Sequence, residues 1–194
     1  MKNSQVTSGK GDQGESINLA GDKLPKSHAL FEACGSLDLV RAHTAALRLD
    51  LEDSIREDAA WISEFLFWVL HVYFLIGTAC NDPAGKNLRV RKGEVGEKHL
   101  EKLESFQQEL ETQVTLPRFF ILSASNPHSA QWDILCTEVR LLERDLVRLK
   151  NEVSVFDAEH IFSFVNRLSD TFYMIARKLE DGQHIAVDYE LLDQ

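Results

Sequence analysis

A chain of 194 residues with 44% hydrophobic and 27% charged side chains suits one globular domain with a substantial core. The formal net charge of -10 leaves no basic excess to displace nucleic-acid counterions, so general nucleic-acid binding is excluded while a local phosphate site is not. Cys34, Cys80 and Cys136 are scattered, without the close pair of a zinc or redox centre, and read as reduced thiols of a cytoplasmic protein.

Residues 1–26 are rich in Gly, Ser, Asn, Asp and Lys and read as a flexible leading segment. No apolar stretch opens it, so no secretory signal is expected. Within it, Gly9-Lys10-Gly11-Asp12-Gln13-Gly14 spaces glycines closely enough to turn backbone amides toward an anion, with Lys10 adding charge. A P-loop is excluded, because the Gly-Lys-Ser/Thr ending and a preceding strand are missing.

From Ser27 the pattern turns helical, with Ala29, Leu30, Ala33, Leu37, Val40 and Leu47 on one face. Ala59–Cys80 is the most apolar run and long enough to span a bilayer. Glu64 and His71 near its middle would be costly there and no Lys/Arg cluster flanks it, so a buried bundle helix is expected and no membrane contact. On that helix His71 reads as a core or interface histidine. Asn81–Gly93 is a loop by its Pro, Gly and Asn content. Glu94–Gln113 predicts an amphipathic helix with Val95, Leu100, Leu103, Phe106 and Leu110 inward.

Leu116–Ser123 is an apolar loop, and Ala130–Lys150 a helix with the bundle seam Leu135, Val139, Leu142, Leu146, Leu149. Arg140 and Glu143 lie one turn apart on it, and Arg140 and Arg144 face alike, an arrangement that calls for an anion or carboxylates nearby. Phe164–Lys178 carries Val165, Leu168, Phe172, Ile175 and Leu179 on one face and Asn166, Asp170, Tyr173 and Arg177 on another. That polar row is a buried seam, a subunit contact or a ligand face. Asp181–Gln194 reads as a loose acidic tail. The fold expected is all-α: an up-and-down bundle of about five helices over residues 27–180, between the leading segment and the tail, 181–194. No Glu-x-x-His pair for bridged iron, no zinc helix motif and no hydrolase triad is present, so no protein-bound metal is expected.

Asn166-Arg167-Leu168-Ser169-Asp170, with Ala176-Arg177, resembles the C-terminal signature of the propanediol-utilisation type of ATP:cob(I)alamin adenosyltransferases, and Arg140-Leu-Leu-Glu143-Arg144 resembles that family's Arg-Arg-Ala-Glu-Arg motif. The likeness spans roughly residues 7–178. Gly11, Asp12 and Gly14 match the Thr-Gly-Asp-x-Gly loop that wraps ATP phosphates in the family, with Lys10 in place of Thr and Gly21 and Lys26 fitting the continuation. Glu15 and Ser16 stand for a Thr pair and Lys23 for an Arg. Asp38 matches an Asp near a subunit boundary whose Arg partner is Cys136 here, while Leu39 and Arg41 replace a Glu and an Asn. Phe120 matches the Phe that approaches the corrin, with Ser123, Ala124 and Ser125 for Pro-Gly-Gly; its structural alternative is a core plug. Leu141 replaces the family's second consecutive Arg.

The resemblance implies a ferritin-like bundle assembling as a homotrimer that takes ATP with Mg²⁺ in a cleft between subunits and cobalamin as second substrate. It assigns Arg140 and Asp38 to the catalytic set and Lys10, Gly11, Asp12, Gly14, Lys26, Phe120, Glu143, Arg144 and Asn166 to binding. The alternative implied by the departures is a paralogue that keeps the bundle and binds corrinoid or nucleotide, or serves in assembly, without turnover.

Overall fold

A computed structural model describes residue 9 and residues 11–193 of the chain. Five helices carry it: α1 (Ala29–Glu52), α2 (Ala59–Asn81), α3 (Glu97–Glu111), α4 (Pro127–Glu152) and α5 (Glu159–Lys178). The all-α expectation is met. Two helices start earlier than their apolar periodicity does, for local reasons. Pro127 supplies a fixed φ in the first turn of α4, and the Asn126 side chain accepts the Ser129 N–H at 2.9 Å. Helix α5 gains its first turn from Glu159 onward, where Ile161 is buried ahead of the Phe164 stripe.

Helices α1 and α4, and α4 and α5, run in opposite directions, as their side-chain pairs show, whereas α3 runs alongside α5 in the same direction, Glu104 meeting Arg167 and Gln107 meeting Thr171. Along α1 and α4, Glu32 meets Arg148, Ser36 meets Asp145, His43 meets Glu138 and Asp50 meets His128, rising on one helix as they fall on the other. Along α4 and α5 the order Asp133–Arg177, Cys136–Ser169, Glu143–Asn166 repeats the pattern. Helix α1 packs on α2 and α4, α4 on α5, and α5 on α3. Phe106 of α3 closes the ring of helices, stacking on Phe65 at 3.7 Å and on Trp61 at 4.3 Å from α2. The α4 seam, Leu135, Val139, Leu142, Leu146 and Leu149, is wholly buried, as its spacing requires.

Helix α2 is the one helix among the described residues long and apolar enough to cross a membrane, and half of that stretch is buried in the bundle. Glu64 and His71 lie on its outer face, so His71 is not a core residue; its ring meets Phe67 edge-on at 4.7 Å.

Two elements were not legible in the sequence. A short antiparallel hairpin, β1 (Glu15–Ile17) with β2 (Lys23–Pro25), precedes the bundle, paired Ser16 to Leu24. The C-terminal segment, expected as a loose tail, is held at its start. Asp181 pairs with Arg56 at 2.9 Å, Ile121 and Ala186 form an antiparallel bridge, and a 3-10 turn follows at Tyr189–Asp193.

Candidate functional site

The first group of candidate residues is organised by the hairpin. Gly14, at φ 80°, takes a conformation that glycine adopts without strain, and the Lys26 N–H donates to its carbonyl at 2.8 Å. This brings the Lys26 side chain over Gly11. A methyl group on Gly11 would sit 3.1 Å from the Lys26 Nζ and 3.2 Å from its Cε, so the glycine makes room for the ammonium. Gly11, Asp12, Gly14 and Lys26 are therefore neighbours; Lys10 lies outside the described residues. Glu15, one of the residues standing for the family's Thr pair, forms an ion pair with Lys23 across the hairpin. The two departures from the family loop offset each other in charge.

The hairpin is fastened to the bundle at the end of α2. The Leu19 N–H donates to the Asn81 side chain at 2.8 Å, Asn87 Nδ2 donates to the Leu19 carbonyl at 2.9 Å, and Lys86 Nζ donates to the Asp22 carboxylate at 3.1 Å. Asp82, buried, holds the turn that presents Lys86 and Asn87 by accepting both their backbone N–H groups.

The second group lies on α4 and α5. Asn166 Nδ2 donates to Glu143 Oε1 at 3.2 Å, joining the two motifs that the sequence placed 23 residues apart. Arg140 and Arg144 are exposed on the same stretch of α4, and among the described residues neither has a carboxylate partner. Two free guanidinium groups one turn apart, beside an oriented amide, suit an anion. One turn before Arg140, Cys136 is buried and its thiol donates to the Ser169 carbonyl at 3.2 Å. Burial pushes that thiol's pKa up despite the nearby Arg140.

Asp38 and Phe120 stand apart from both groups. Asp38, exposed on α1, pairs with Arg41 at 2.9 Å; the residue that replaced the family's Asn partners the carboxylate within its own helix. Phe120 is 78% exposed, which removes the core-plug alternative. Its loop includes Ser123 at φ 44°, a left-handed conformation that the family's proline could not adopt, so the backbone path departs from the Pro-Gly-Gly turn.

No hydrogen bond or ion pair among the described residues joins the loop group to the helix group. Glu32, in the first turn of α1, is level with Arg148, which lies eight residues past Arg140, roughly 12 Å along the axis. Lys26 lies six residues before Glu32, ahead of the first turn of α1. Among the described residues no three His, Cys, Asp or Glu side chains converge for a metal.

Sequence reasoning kept a buried seam open for Arg177 but missed what the buried charges pair with. Arg177, only 2% exposed, pairs with Asp133 at 2.8 Å and Glu180 at 3.2 Å and lies over the Tyr173 ring at 4.9 Å. Asp145, also buried, accepts from Ser36 at 2.5 Å and from Arg148 at 3.1 Å. Asp133 and Glu180 were uncommitted carboxylates in the linear pattern; the α4–α5 pairing puts Asp133 against the guanidinium, and Glu180 reaches it from three residues on.

Fold and side chains together define a helical bundle that carries a glycine loop with a lysine at one end and an arginine–amide helix face farther along. The cobalamin adenosyltransferase family model matches residues 6–179, and the chain belongs to that family. It is 27% identical over 177 residues to corrinoid adenosyltransferase PduO of Salmonella typhimurium, covering 91% of this chain and 50% of that protein. It is 25% identical over 168 residues to a corrinoid adenosyltransferase of Citrobacter freundii, covering 86% of this chain and 90% of that one. The chain spans about half the length of the PduO relatives it matches. The same fold is found in a phenylalanine-to-histidine variant of a PduO-type ATP:corrinoid adenosyltransferase from Lactobacillus reuteri complexed with cobalamin and ATP, at TM-score 0.80 and 21% identity over 94% of this chain and 95% of that one. An arginine-to-lysine variant complexed with ATP matches at TM-score 0.76 and 22% identity, over 94% and 98%.

Proposed function

We propose that this chain is a corrinoid adenosyltransferase acting in the cytoplasm as a homotrimer, moving the 5′-deoxyadenosyl group of ATP to cob(I)alamin. The observation that carries the reading is the Glu143–Asn166 bond beside Arg140 and Arg144, in a chain that matches the cobalamin adenosyltransferase family from residue 6 to residue 179. In the transfer, the cobalt(I) electron pair attacks C5′, the C5′–O bond breaks, and triphosphate leaves with that bond's electrons. No proton needs to move at the reacting carbon. The protein's part is to align the two substrates and to neutralise the leaving group.

Gly11, Asp12, Gly14 and Lys26 hold the triphosphate through backbone amides and the ammonium, and Lys10 extends the same loop. Arg140 and Arg144 meet the polyphosphate from the helix side, with Glu143 orienting Asn166 toward the nucleoside. Mg²⁺ arrives with the triphosphate. Phe120 faces the corrin, where its exposed ring excludes a lower cobalt ligand. Asp38, with Arg41, stands at the subunit boundary. The loop group of one subunit and the helix group of its neighbour complete one site.

A second reading is binding without turnover, and Cys136 and Leu141 favour it, since each is uncharged where the family carries Arg. The test is to mix purified protein with ATP, Mg²⁺ and chemically reduced cobalamin and to follow the spectrum of the adenosylated product. Turnover is expected. ATP binding with no product selects the second reading, and neither binding nor product leaves only the shared fold.

A further inference from the structure

The loop that presents Phe120 is not self-supporting. Ser123 holds a positive φ without being glycine, a conformation that persists only where its surroundings fix it. Those surroundings come almost wholly from the chain after α5. The Leu122 N–H donates to the Ile185 carbonyl at 2.7 Å and the Val187 N–H to the Phe120 carbonyl at 3.0 Å. Asn126 Nδ2 donates to the Leu179 carbonyl at 3.0 Å. At the centre, the Ser125 N–H donates to Glu180 Oε1 at 3.0 Å.

Glu180 itself is fully buried, and every polar contact it makes is accounted for. Oε1 accepts from Ser125 and pairs with Arg177 at 3.2 Å; Oε2 meets His184 Nδ1 at 2.5 Å. Arg177 is in turn held by Asp133 of α4. One carboxylate thus ties four pieces of chain: the end of α5, the second turn of α4 through Arg177, the C-terminal segment through His184, and the Phe120 loop through Ser125. A buried acid with these partners has one geometry available, because leaving any partner leaves a buried polar group unpaired.

We propose that Glu180 is a positioning residue of the transferase, fixing the Phe120 loop against the bundle so that the ring meets the corrin at a set height. The C-terminal segment through Val187 is the second half of the same clasp. This inference rests on the reading of Phe120 as the corrin-facing ring; neither the loop group nor the Arg140, Arg144 and Asn166 side chains that hold ATP share a bond with Glu180. Loss of the carboxylate therefore loosens one substrate's site and spares the other's.

The experiment uses the full chain with Glu180→Ala and Glu180→Gln, the second keeping an oxygen that accepts from Ser125. Three quantities are read: hydrogen exchange of the peptide covering 119–126, ATP affinity, and the Michaelis constant for corrinoid with the resonance spectrum of bound cobalt(II), which reports whether its lower ligand is displaced. In Glu180→Ala, exchange in 119–126 is expected to rise roughly tenfold or more, the size of a lost charged hydrogen bond. The corrinoid constant rises by a like factor and the lower-ligand-free signal falls, while ATP affinity stays within about twofold. Glu180→Gln restores most of the loop protection. Unchanged exchange in 119–126, or equal losses for ATP and corrinoid, overturns the proposal. If Glu180→Ala does not fold, His184→Asn, which frees the C-terminal segment from the same carboxylate, is read in its place, and unchanged exchange in 119–126 overturns the proposal. If the unmodified protein neither binds nor adenosylates corrinoid, the transferase reading falls by itself, and the exchange data still decide whether Glu180 holds the loop.

Discussion

Asn166 and Arg177 share a helix face in the linear pattern, yet the fold gives them opposite settings. Asn166 is exposed and bonded to Glu143; Arg177 is buried between Asp133 and Glu180. Periodicity fixes which residues point the same way, but what covers them depends on the neighbouring chain, and the chain after α5 folds back over one end of this face. The difference sets two expectations. Arg177→Met strands Asp133 and Glu180 without their cation, an arrangement that costs about 3–5 kcal/mol, seen as a lower urea midpoint. Arg140→Ala, on an exposed guanidinium without a carboxylate partner among the described residues, leaves the midpoint nearly unchanged. It weakens ATP binding instead, by roughly ten- to a hundredfold, the range for a lost charged hydrogen bond. Equal ATP affinity in Arg140→Ala and the parent would remove that residue from the site. The thiols follow the same logic of cover: Cys34, raised to about 11 chiefly by burial, stays protonated at neutral pH and is a poor nucleophile.

Elements were legible where their signal was periodic and hidden where it was tertiary. The α4 seam and the apolar face of α1 could be read directly from spacing. The hairpin could not, since three-residue strands give no alternation to count, and the turn at Asn18 and Gly21 is recognisable only once Asn81 and Asn87 anchor Leu19. Nor could the closing role of α3, whose outer face is an ordinary row of acids. Its attachment to α2 turns on Phe106, stacked on Phe65 and Trp61. Phe106→Ala removes the ring that both partners touch and is expected to cost about 3–5 kcal/mol, with exchange rising first in α3.

The turn between α1 and α2 is closed by charge. Arg56 donates to Asp58 and Asp181, and Lys178 pairs with Asp58 at 3.0 Å, tying the turn to the end of α5. Burial pushes the Asp58 carboxyl up, but bonds from Arg56 and Lys178 outweigh it and leave its pKa below the usual 3.8; the Arg56 bond lowers Asp181 likewise. A depressed carboxylate pKa contributes stability in full above the unfolded value, lost as pH falls through the folded one. Arg56→Gln should thus cost about 1 kcal/mol at neutral pH, with Asp181 well exposed to solvent, and progressively less as pH falls below the ordinary carboxylate value of 3.8. A pH-independent difference between the two proteins would assign Arg56 to packing.

At the scale of the whole molecule, the bundle was legible because five apolar faces must cover one another, whereas the site was legible only as two lists. No bond joins those lists among the described residues, with Lys26 over Gly11 ahead of α1 and Asn166 bonded to Glu143 between α5 and α4. On the proposed reading a ligand that takes both groups bridges two copies, and a head-to-tail contact that closes on itself joins unlike faces of identical chains. Complementation tests this directly. Lys26→Ala spoils the loop group and Arg140→Ala the helix group, so each homo-oligomer lacks a complete site. In mixed assemblies formed by co-expression, a site made from the Arg140→Ala chain's loop and the Lys26→Ala chain's helices has both groups intact. Random mixing at equal amounts gives roughly a quarter of sites in that state, and activity should recover to about that fraction of the parent's. Were each site built within one chain, every site in the mixture would carry one lesion or the other, and activity would stay at the average of the two variants.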